Sequence, residues 1–190
     1  MSEAYAYHDE VWNELIDGKI VAMSPRPVVN HSFIASNIFT IFAVYLKGKK
    51  CVPFSDGVDL FLTPKDHFIP DCMVVCDRNK IKFDGVHGAP DLVVEVLSPS
   101  TAKRDRGYKK DVYAKCGVLE YWIVSPGDKS IEVYRSKDSE LVYHDTYTFF
   151  PDYLLEKMTD EERASVEKNF KCGLFDDLDI SLDDIFGNLI

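Results

Sequence analysis

The stretch PDLVVEVL at residues 90–97 constrains the fold more than any other part of the chain, because it places a glutamate among branched apolar residues. Apolar neighbours on both sides of Glu95 predict a strand that is covered on both faces, as in the interior of an α/β sheet. Burying an isolated carboxylate is unfavourable, so we expect Glu95 to be protonated, ion-paired or bound to a cation.

The residues that follow this strand predict a strand–helix–strand unit. The hydroxyl side chains of Ser98, Ser100 and Thr101 offer caps for a helix that runs to about Cys116. Gly117 is the residue type favoured in a left-handed C-terminal cap. The sequence EYWIVS at residues 120–125 predicts the next strand. A unit of this length normally forms a right-handed crossover between two parallel strands.

Shorter patterns predict the remaining elements. Asp17-Gly18 between apolar runs predicts a β-hairpin at about residues 14–24, and apolar residues at helical spacing predict a helix over about residues 30–46. Further strands are expected at 58–63, 69–75, 130–136 and 141–149, and a capping box predicts a helix at 159–170. We therefore predict an α/β fold: a mixed central sheet flanked by helices in the order α-β-β-β-α-β, an N-terminal β-hairpin and a C-terminal antiparallel extension.

Length and composition favour one domain. A chain of 190 residues, 46% of them apolar, falls in the usual domain range of about 50–250 residues. We expect a single domain over residues 1–190, with a core at about 30–126 and an extension at about 127–190. The acidic N-terminus lacks the apolar core of a signal peptide, and no apolar run reaches the roughly 18 residues of a membrane span. A cytoplasmic protein without membrane contact is therefore expected.

The cysteines predict buried thiols. They number five and include no C-x-x-C pair, which argues against a disulfide framework and against a zinc site. The histidines show no H-x-x-x-H or H-x-H spacing. Carboxylates are therefore the expected ligands of any metal ion.

Asp71 and Glu95 are the candidate metal ligands. Asp71 belongs to the preceding strand, IPDCMVV, and can lie beside Glu95. Two carboxylates from adjacent strands repel each other unless a cation lies between them, and oxygen ligands suit Mg²⁺ or Mn²⁺. Asp91 shares a strand with Glu95 but sits about 13 Å away, and Asp59 on the strand before is an outside candidate. The alternative is a carboxylate pair satisfied by hydrogen bonds or by a buried cationic side chain.

A hydrolase built on this pair would also need a base or charge stabiliser, for which Lys109 is the candidate. The strand runs roughly 10 Å from Glu95 to its end near Ser98, and the helix runs roughly 12 Å from Thr101 to Lys109. If the helix folds back over the strand, Lys109 therefore comes level with Glu95. Lys110 is its rival. Asp105 and Tyr113, four residues to either side, share a helical face with Lys109 and are placed to orient it. The alternative for Lys109 is a surface salt bridge with Asp105.

Charge is spread unevenly over the chain. The net charge of −10 argues against broad attraction to nucleic acid, because phosphates are repelled at long range. Residues 151–190 hold 11 acidic and 4 basic residues, whereas residues 103–115 are basic. The side chains there that we expect to contact nucleic acid are Lys103, Arg104, Arg106 and Lys110. A solvated helix face is the alternative interpretation.

Several motifs occur in a characteristic order. They are IPDCMVV, APDLVVEVLSPST, D-x-x-x-K-x-x-x-Y at residues 105–113, and GVLEYWIVSP. Together with ELIDGKIVAMSP at residues 14–25 and His31, they resemble the bacterial Uma-type family of restriction endonucleases, within the PD-(D/E)XK nuclease superfamily. The resemblance spans about residues 14–135, and Leu97 fills the position of the motif lysine.

This resemblance implies a restriction-endonuclease-like core with a metal site at Asp71 and Glu95. It also implies that the motif lysine has moved to Lys109 and that Glu14 lies near the site. From residue chemistry alone, in contrast, Glu14 is expected to be an exposed hairpin residue and His31 a helix-start residue.

Three hypotheses follow. The first is a Mg²⁺- or Mn²⁺-dependent endonuclease that hydrolyses nucleic-acid phosphodiesters, with DNA as the expected substrate. In it Asp71, Glu95 and the backbone carbonyl of Val96 hold the metal, and Lys109 positions water or stabilises charge. The second is an inactive nuclease-fold module that binds nucleic acid or a protein partner. The third is a self-associating scaffold, a homodimer or larger homo-oligomer, in which the acidic C-terminal part forms the contact.

Overall fold

The computed structural model of the chain describes residues 13–23 and 28–190, which form two six-stranded sheets, a two-stranded sheet and several helices. The helices are α1 (Val29–Tyr45), α2 (Ala102–Arg104), α3 (Lys110–Cys116), α4 (Asp152–Leu155), α5 (Asp160–Ala164) and α6 (Leu182–Phe186). A π-helical turn, Asp105–Lys109, joins α2 to α3, and a 3-10 turn covers Arg78–Lys80.

The strands are numbered in chain order. They are β1 (Asn13–Ile16), β2 (Lys19–Ala22), β3 (Val52–Ser55), β4 (Leu60–Thr63), β5 (Asp66–Phe68), β6 (Cys72–Val75), β7 (Ile81–Lys82), β8 (Gly85–His87), β9 (Leu92–Val96), β10 (Glu120–Ser125), β11 (Ser130–Lys137), β12 (Glu140–Thr148), β13 (Asn169–Lys171) and β14 (Asp179–Ser181).

One large sheet, here called the central sheet, has the strand order β12-β11-β10-β9-β6-β3. Strands β9 and β10 are parallel, as expected for the crossover through α2, the π turn and α3, and the other neighbouring pairs are antiparallel. The predicted α/β class with a mixed sheet flanked by helices is confirmed. The antiparallel extension predicted after the crossover is β11 and β12.

The second large sheet, here called the hairpin sheet, has the order β2-β1-β5-β4-β8-β7. Its N-terminal hairpin turns at Asp17 and Gly18, which both have positive φ angles (50° and 73°), as the sequence predicted. The stretch 58–63 was expected in the central sheet and instead supplies β4 of the hairpin sheet. That prediction was wrong because strand patterns identify strands but do not say which sheet they join.

The central sheet is covered on both faces. On one face α1 packs with Trp122 and the C-terminal elements, and the rings of Phe42 and Trp122 lie 5.6 Å apart. On the other face α3 packs with the hairpin sheet, and the rings of Phe68 and Tyr113 lie 5.5 Å apart. Burial on both sides explains why the strands β6, β9 and β10 are almost wholly apolar in sequence.

The predicted helix of residues 159–170 is shorter than expected. Its capping box is present, since Thr159 accepts from the Glu162 backbone and Glu162 accepts from the Thr159 backbone. The helix nevertheless covers only Asp160–Ala164, and the chain then enters β13. Among the residues that the structure describes, no helix is long and apolar enough to cross a membrane.

The cysteine prediction was wrong for two of the five residues. Cys51 and Cys76 form a disulfide, whereas Cys72 and Cys172 are buried thiols and Cys116 is a half-buried one. The two bonded residues flank the register pair Val52 and Val75 in the antiparallel strands β3 and β6, which brings them opposite each other. The two cysteines are 25 residues apart in sequence, and this spacing does not indicate that they are paired.

A buried carboxylate fixes the C-terminal part of the chain to the central sheet. Glu120 accepts hydrogen bonds from the Trp122 indole (2.6 Å) and the Gly173 backbone (2.7 Å), and Arg135 lies 3.6 Å from it. Close approach of the backbone at residue 173 therefore requires a glycine.

We expect Gly173→Ala to lower the free energy of unfolding by about 1–3 kcal/mol, because a Cβ atom at this position would collide with Glu120 and lie 2.6 Å from Nε of Arg135. Urea unfolding measures the change. Gly127→Ala is the control, since its Cβ would meet no atom of the described residues within 4 Å. Equal stability of the two variants would contradict the crowding at residue 173.

Candidate active site

Asp71 and Glu95 face each other across two strands of the central sheet. Cys72 of β6 is paired with Val94 of β9 in antiparallel register, which places Asp71 opposite Glu95 one residue further along. Directly opposed residues of an antiparallel pair project from the same face of a sheet. Both side chains line one cavity of about 650 Å³.

Lys109 lies against these carboxylates from the helical side. Its ammonium is 2.7 Å from Oε1 of Glu14, 3.0 Å from Oε1 of Glu95 and 3.8 Å from Oδ1 of Asp105. The side chains of Lys109 and Glu14 are each only 4% exposed. The geometric expectation that Lys109 comes level with Glu95 is therefore met, whereas the interpretation of Glu14 as an exposed hairpin residue was wrong. The surface salt bridge considered for Lys109 and Asp105 was also wrong, because both are buried.

The π turn between α2 and α3 determines which residues reach the site. The wider turn interrupts the regular helix over Asp105–Lys109, and both of its end residues are buried. Single π turns inside helices are frequent at functional sites. Tyr113, one turn further on, donates to Oε1 of Glu95 at 2.6 Å. Tyr113 thus orients the glutamate, where the sequence had suggested that it orients the lysine.

Burial and mutual charge shift the ionisation of this group. Burial raises the pKa of Glu95 well above its ordinary value, although the Lys109 ammonium opposes the shift. Burial would lower the pKa of Lys109, but the carboxylates of Glu95, Glu14 and Asp105 outweigh it and raise that pKa. Lys109 therefore stays protonated at neutral pH.

Asp71 has a different environment from Glu95. Its Oδ2 accepts the Val96 backbone N–H at 2.6 Å, and its Oδ1 lies 3.4 Å from Nε2 of His31. Burial raises the pKa of Asp71 to about 6, although His31 and the Val96 N–H oppose the shift. His31 is therefore more than a helix-start residue, since α1 presents it to the cavity beside Asp71.

Sequence reasoning missed Asp56, which also lines the cavity. It follows β3 directly, at the position next to the register pair Ser55–Cys72, and its charge contributes to the raised pKa of Asp71. In the sequence, Ser55-Asp56-Gly57 has the composition of an ordinary turn. Only the pairing of β3 with β6 brings Asp56 to the site.

The other candidate acids lie elsewhere. Asp91 accepts the Cys76 backbone N–H at 2.7 Å, and Asp59 pairs with His67 at 2.6 Å in the hairpin sheet. Neither lines the cavity, which agrees with the choice of Asp71 over Asp91.

The basic run divides into side chains with different surroundings. Arg106 pairs with Glu132 at 2.6 Å, and the Lys110 ammonium lies over the Tyr134 ring at 4.7 Å. Lys103 is exposed, whereas Arg104 lines the cavity. Lys110 is therefore not a rival to Lys109 at the carboxylates.

The donor set fits a magnesium-type ion. Within residues 13–23 and 28–190, no cluster of three or more His, Cys, Asp and Glu side chains has the spacing of a metal site. Mg²⁺ typically takes one or two protein carboxylates and fills its remaining positions with water or substrate oxygens. Asp71 and Glu95, side by side at the cavity wall, would supply those two carboxylates.

The mixed sheet, its flanking helices and the acids beside a buried lysine define a restriction-endonuclease-like α/β protein. A family model described as "Putative restriction endonuclease" (Uma2) matches residues 2–162, so the chain belongs to the Uma2 family. The resemblance found in the sequence motifs is thereby confirmed.

Two further comparisons agree. The chain is 37% identical over 128 residues to "Uncharacterized protein slr1290" of Synechocystis sp.. The aligned region covers 66% of this chain and 67% of that protein. Its fold is similar to that of "a putative nuclease belonging to DUF820 from Anabaena variabilis", with a TM-score of 0.67 and 22% identity. That match covers 92% of this chain and 89% of the other.

Asp66 connects the site's helical wall to the hairpin sheet. Its carboxylate accepts from the Asp17 backbone (3.2 Å), the Thr63 hydroxyl (2.7 Å) and the Tyr108 hydroxyl (2.8 Å). Because Tyr108 belongs to the π turn, this carboxylate fixes the turn that carries Lys109. Burial would raise the pKa of Asp66, but the hydrogen bonds outweigh it and lower the pKa below the ordinary 3.8.

We expect Asp66→Ala to lower the free energy of unfolding by about 2–4 kcal/mol at pH 7, since three hydrogen bonds to a charged group are lost. A lowered pKa means that the charged carboxylate stabilises the fold above pH 3.8 and loses this effect as the pH falls further. The difference from wild type should therefore be constant between about pH 7 and 5 and shrink below about pH 4. Urea unfolding across this range, with Asp111→Ala at an exposed site as control, measures it. A difference that grows on acidification would contradict the assignment.

Proposed function

We propose that the protein is a metal-dependent endonuclease that hydrolyses phosphodiester bonds of nucleic acid, most directly DNA. The observation that carries the proposal is the convergence of Asp71, Glu95 and Lys109 on one cavity. Membership of the Uma2 family supports the nuclease class. The metal requirement and the DNA substrate are part of the proposal.

Asp71 and Glu95, with the backbone carbonyl of Val96, would hold Mg²⁺ or Mn²⁺. The ion supplies Lewis acidity toward a phosphate oxygen. The Val96 N–H fixes one carboxylate by donating to Asp71, and Tyr113 fixes the other by donating to Glu95. Positioned carboxylates avoid the cost of reorganising the site when the ion binds.

Lys109 serves as a charge stabiliser in this proposal. Its raised pKa keeps the ammonium protonated at neutral pH, so it does not act as a general base. A fixed positive charge beside the cavity favours the negative charge that develops on the phosphoryl group in the transition state. Glu14 and Asp105 are positioning residues, because they hold the ammonium at one place. His31 provides an imidazole beside Asp71 that can exchange a proton with the reacting water.

The basic residues Lys103, Arg104, Arg106 and Lys110 would contact the nucleic-acid backbone. Such contacts position a substrate without reading its sequence. We also propose one nuclease domain over residues 1–190 that acts in the cytoplasm, with a homodimer as the assembly to test.

The inactive binding module remains the second candidate, because one observation favours it. The Lys109 ammonium already lies within ion-pair distance of Glu14 and Glu95, so the described residues satisfy it without a substrate. Such a module would bind nucleic acid in a salt-dependent manner, and the binding would survive the loss of Asp71.

We expect wild-type protein to cleave plasmid and single-stranded DNA with Mg²⁺ or Mn²⁺, and Asp71→Asn and Lys109→Met to reduce the rate by about a hundredfold or more. The asparagine keeps an acceptor for the Val96 N–H, so this variant should fold. Removing Lys109 leaves buried acids uncompensated, and its fold must be checked by urea unfolding.

Asp59→Asn is the matched control, because it removes a carboxylate that lies outside the cavity. It should cleave at the wild-type rate. Equal activity of wild type and Asp71→Asn, or loss of activity in the Asp59 variant alone, would refute the assignment of the site.

We expect Mn²⁺ to raise the melting temperature of the wild-type protein in a concentration-dependent way, because an ion that binds only the folded state stabilises it. Asp71→Asn should remove this shift, and Asp59→Asn should keep it. Calorimetric titration measures the affinity directly. A shift of equal size in wild type and Asp71→Asn would place the ion somewhere else.

A further inference from the structure

Arg104 differs from the rest of the basic run in where its guanidinium lies. It lines the same cavity as Glu95, Asp71 and Lys109. Its Nε atom is buried and has no hydrogen-bond partner among the residues that the structure describes. A buried donor without a partner costs free energy, and a ligand that draws the guanidinium into the cavity is one way to satisfy it.

The other cations near the site are already neutralised or point elsewhere. Lys109 lies between Glu14 and Glu95, and Arg106 pairs with Glu132 outside the cavity. Among the described residues, no carboxylate lies within salt-bridge distance of the Arg104 guanidinium. Arg104 is thus a cation of the cavity wall that has no ion-pair partner among the described residues.

The wall beside Arg104 includes hydroxyl groups that suit an anion. The loop that enters α2 presents the hydroxyls of Ser98 and Thr101, which lie 3.1 Å apart and line the cavity. The Ser98 backbone N–H donates to the Thr101 hydroxyl at 3.3 Å, which fixes the loop. A planar guanidinium binds phosphate oxygens through two parallel hydrogen bonds, and hydroxyls can donate to the same group.

The acidic half of the cavity makes this cation necessary. Asp56, Asp71 and Glu95 repel a phosphate that approaches the site. Lys109 is the counter-ion of two of the cavity's carboxylates, and the proposed function assigns its charge to the phosphoryl group that reacts. A neighbouring phosphate of the backbone is therefore favoured by a further cation that is not paired with these acids.

From these observations we propose that Arg104 is a phosphate-binding residue, which clamps a backbone phosphate of a nucleic-acid strand next to the phosphate that is cleaved. This inference rests on the proposed function, since it assigns the substrate contact of the same cavity. Arg104 would hold the strand through a chain-internal phosphate. A terminal 5′-phosphate has the same chemistry, and the experiment separates the two sources.

The test is fluorescence anisotropy with a labelled single-stranded oligonucleotide, prepared with a 5′-phosphate and with a 5′-hydroxyl, in buffer with Ca²⁺ instead of Mg²⁺. We expect Arg104→Gln to raise Kd about tenfold or more for both oligonucleotides, and Arg104→Lys to raise it less, because lysine keeps the charge and loses the planar fork. The slope of log Kd against log salt concentration should fall by about one for Arg104→Gln. Lys137→Gln, an exposed lysine remote from the cavity lining, should change Kd by less than about twofold.

Cleavage assays with Mg²⁺ on the same variants separate binding from folding. A clamp predicts a raised KM with a nearly unchanged kcat for Arg104→Gln, whereas a disturbed Lys109 would lower kcat. Wild-type cleavage together with equal Kd for wild type and Arg104→Gln would overturn the clamp and leave the proposed function standing. Binding that Arg104→Gln weakens, without any wild-type cleavage, would support the clamp and refute the hydrolysis. If Arg104→Gln loses affinity only for the 5′-phosphorylated oligonucleotide, the assignment to a chain-internal phosphate is overturned. If the wild-type protein neither binds nor cleaves, both proposals are refuted.

Discussion

The ion pairs of Lys109 with Glu14 and Glu95 are the interaction on which the rest of the structure depends. They join three parts of the chain that are distant in sequence: the N-terminal hairpin, the central strand β9 and the helical crossover. All three side chains are nearly buried, so their charges interact more strongly with each other than exposed charges would. Removing one member of such a buried group leaves the others uncompensated, which costs more than the group contributes by being present. The hairpin sheet is therefore tied to the central sheet by electrostatics as well as by the apolar core between them.

Topology explains why these acids meet. Strands β6 and β9 are antiparallel neighbours in the interior of the central sheet, and their register places the end of one beside the end of the other. The chain must then return to place β10 parallel to β9, and the helical crossover that does so lies over the same face. The π turn adds the final adjustment, because it turns Asp105 and Lys109 inward while Arg106 points to Glu132 outside. A regular crossover thus needs only one irregular turn to carry a lysine to a pair of carboxylates.

The parts of this site that could be predicted are those that follow from residues close together in the sequence. The apolar stretch around Glu95, the preceding strand with Asp71 and the length of the crossover were enough to place Lys109 level with Glu95. The contacts that sequence reasoning missed depend on register between distant strands. The pairing of β3 with β6 brings Asp56 to the cavity. The same pairing places Cys51 opposite Cys76, where they form the disulfide. The sequence patterns of β3 and β6 do not show that these strands become neighbours. The alternation of apolar residues also does not show that the strands divide into two sheets. Glu14 was predicted near the site by family resemblance alone, because an isolated hairpin glutamate is normally exposed.

The net charge of the protein does not describe the local charge of the cavity. A net charge of −10 repels nucleic acid at long range, and much of it lies in residues 151–190. Within the cavity the balance is set by a few buried groups, where screening by salt is weaker than at the surface. Burial, and to a smaller extent the charge of neighbouring carboxylates, raises the pKa values of Asp71 and Glu95. In the proposed function a divalent cation would relieve that repulsion, and a phosphate would then be tolerated beside these acids. On that proposal an acidic protein presents a local surface for an anionic backbone only after the cation has bound and where unpaired positive charge lies inside the cavity.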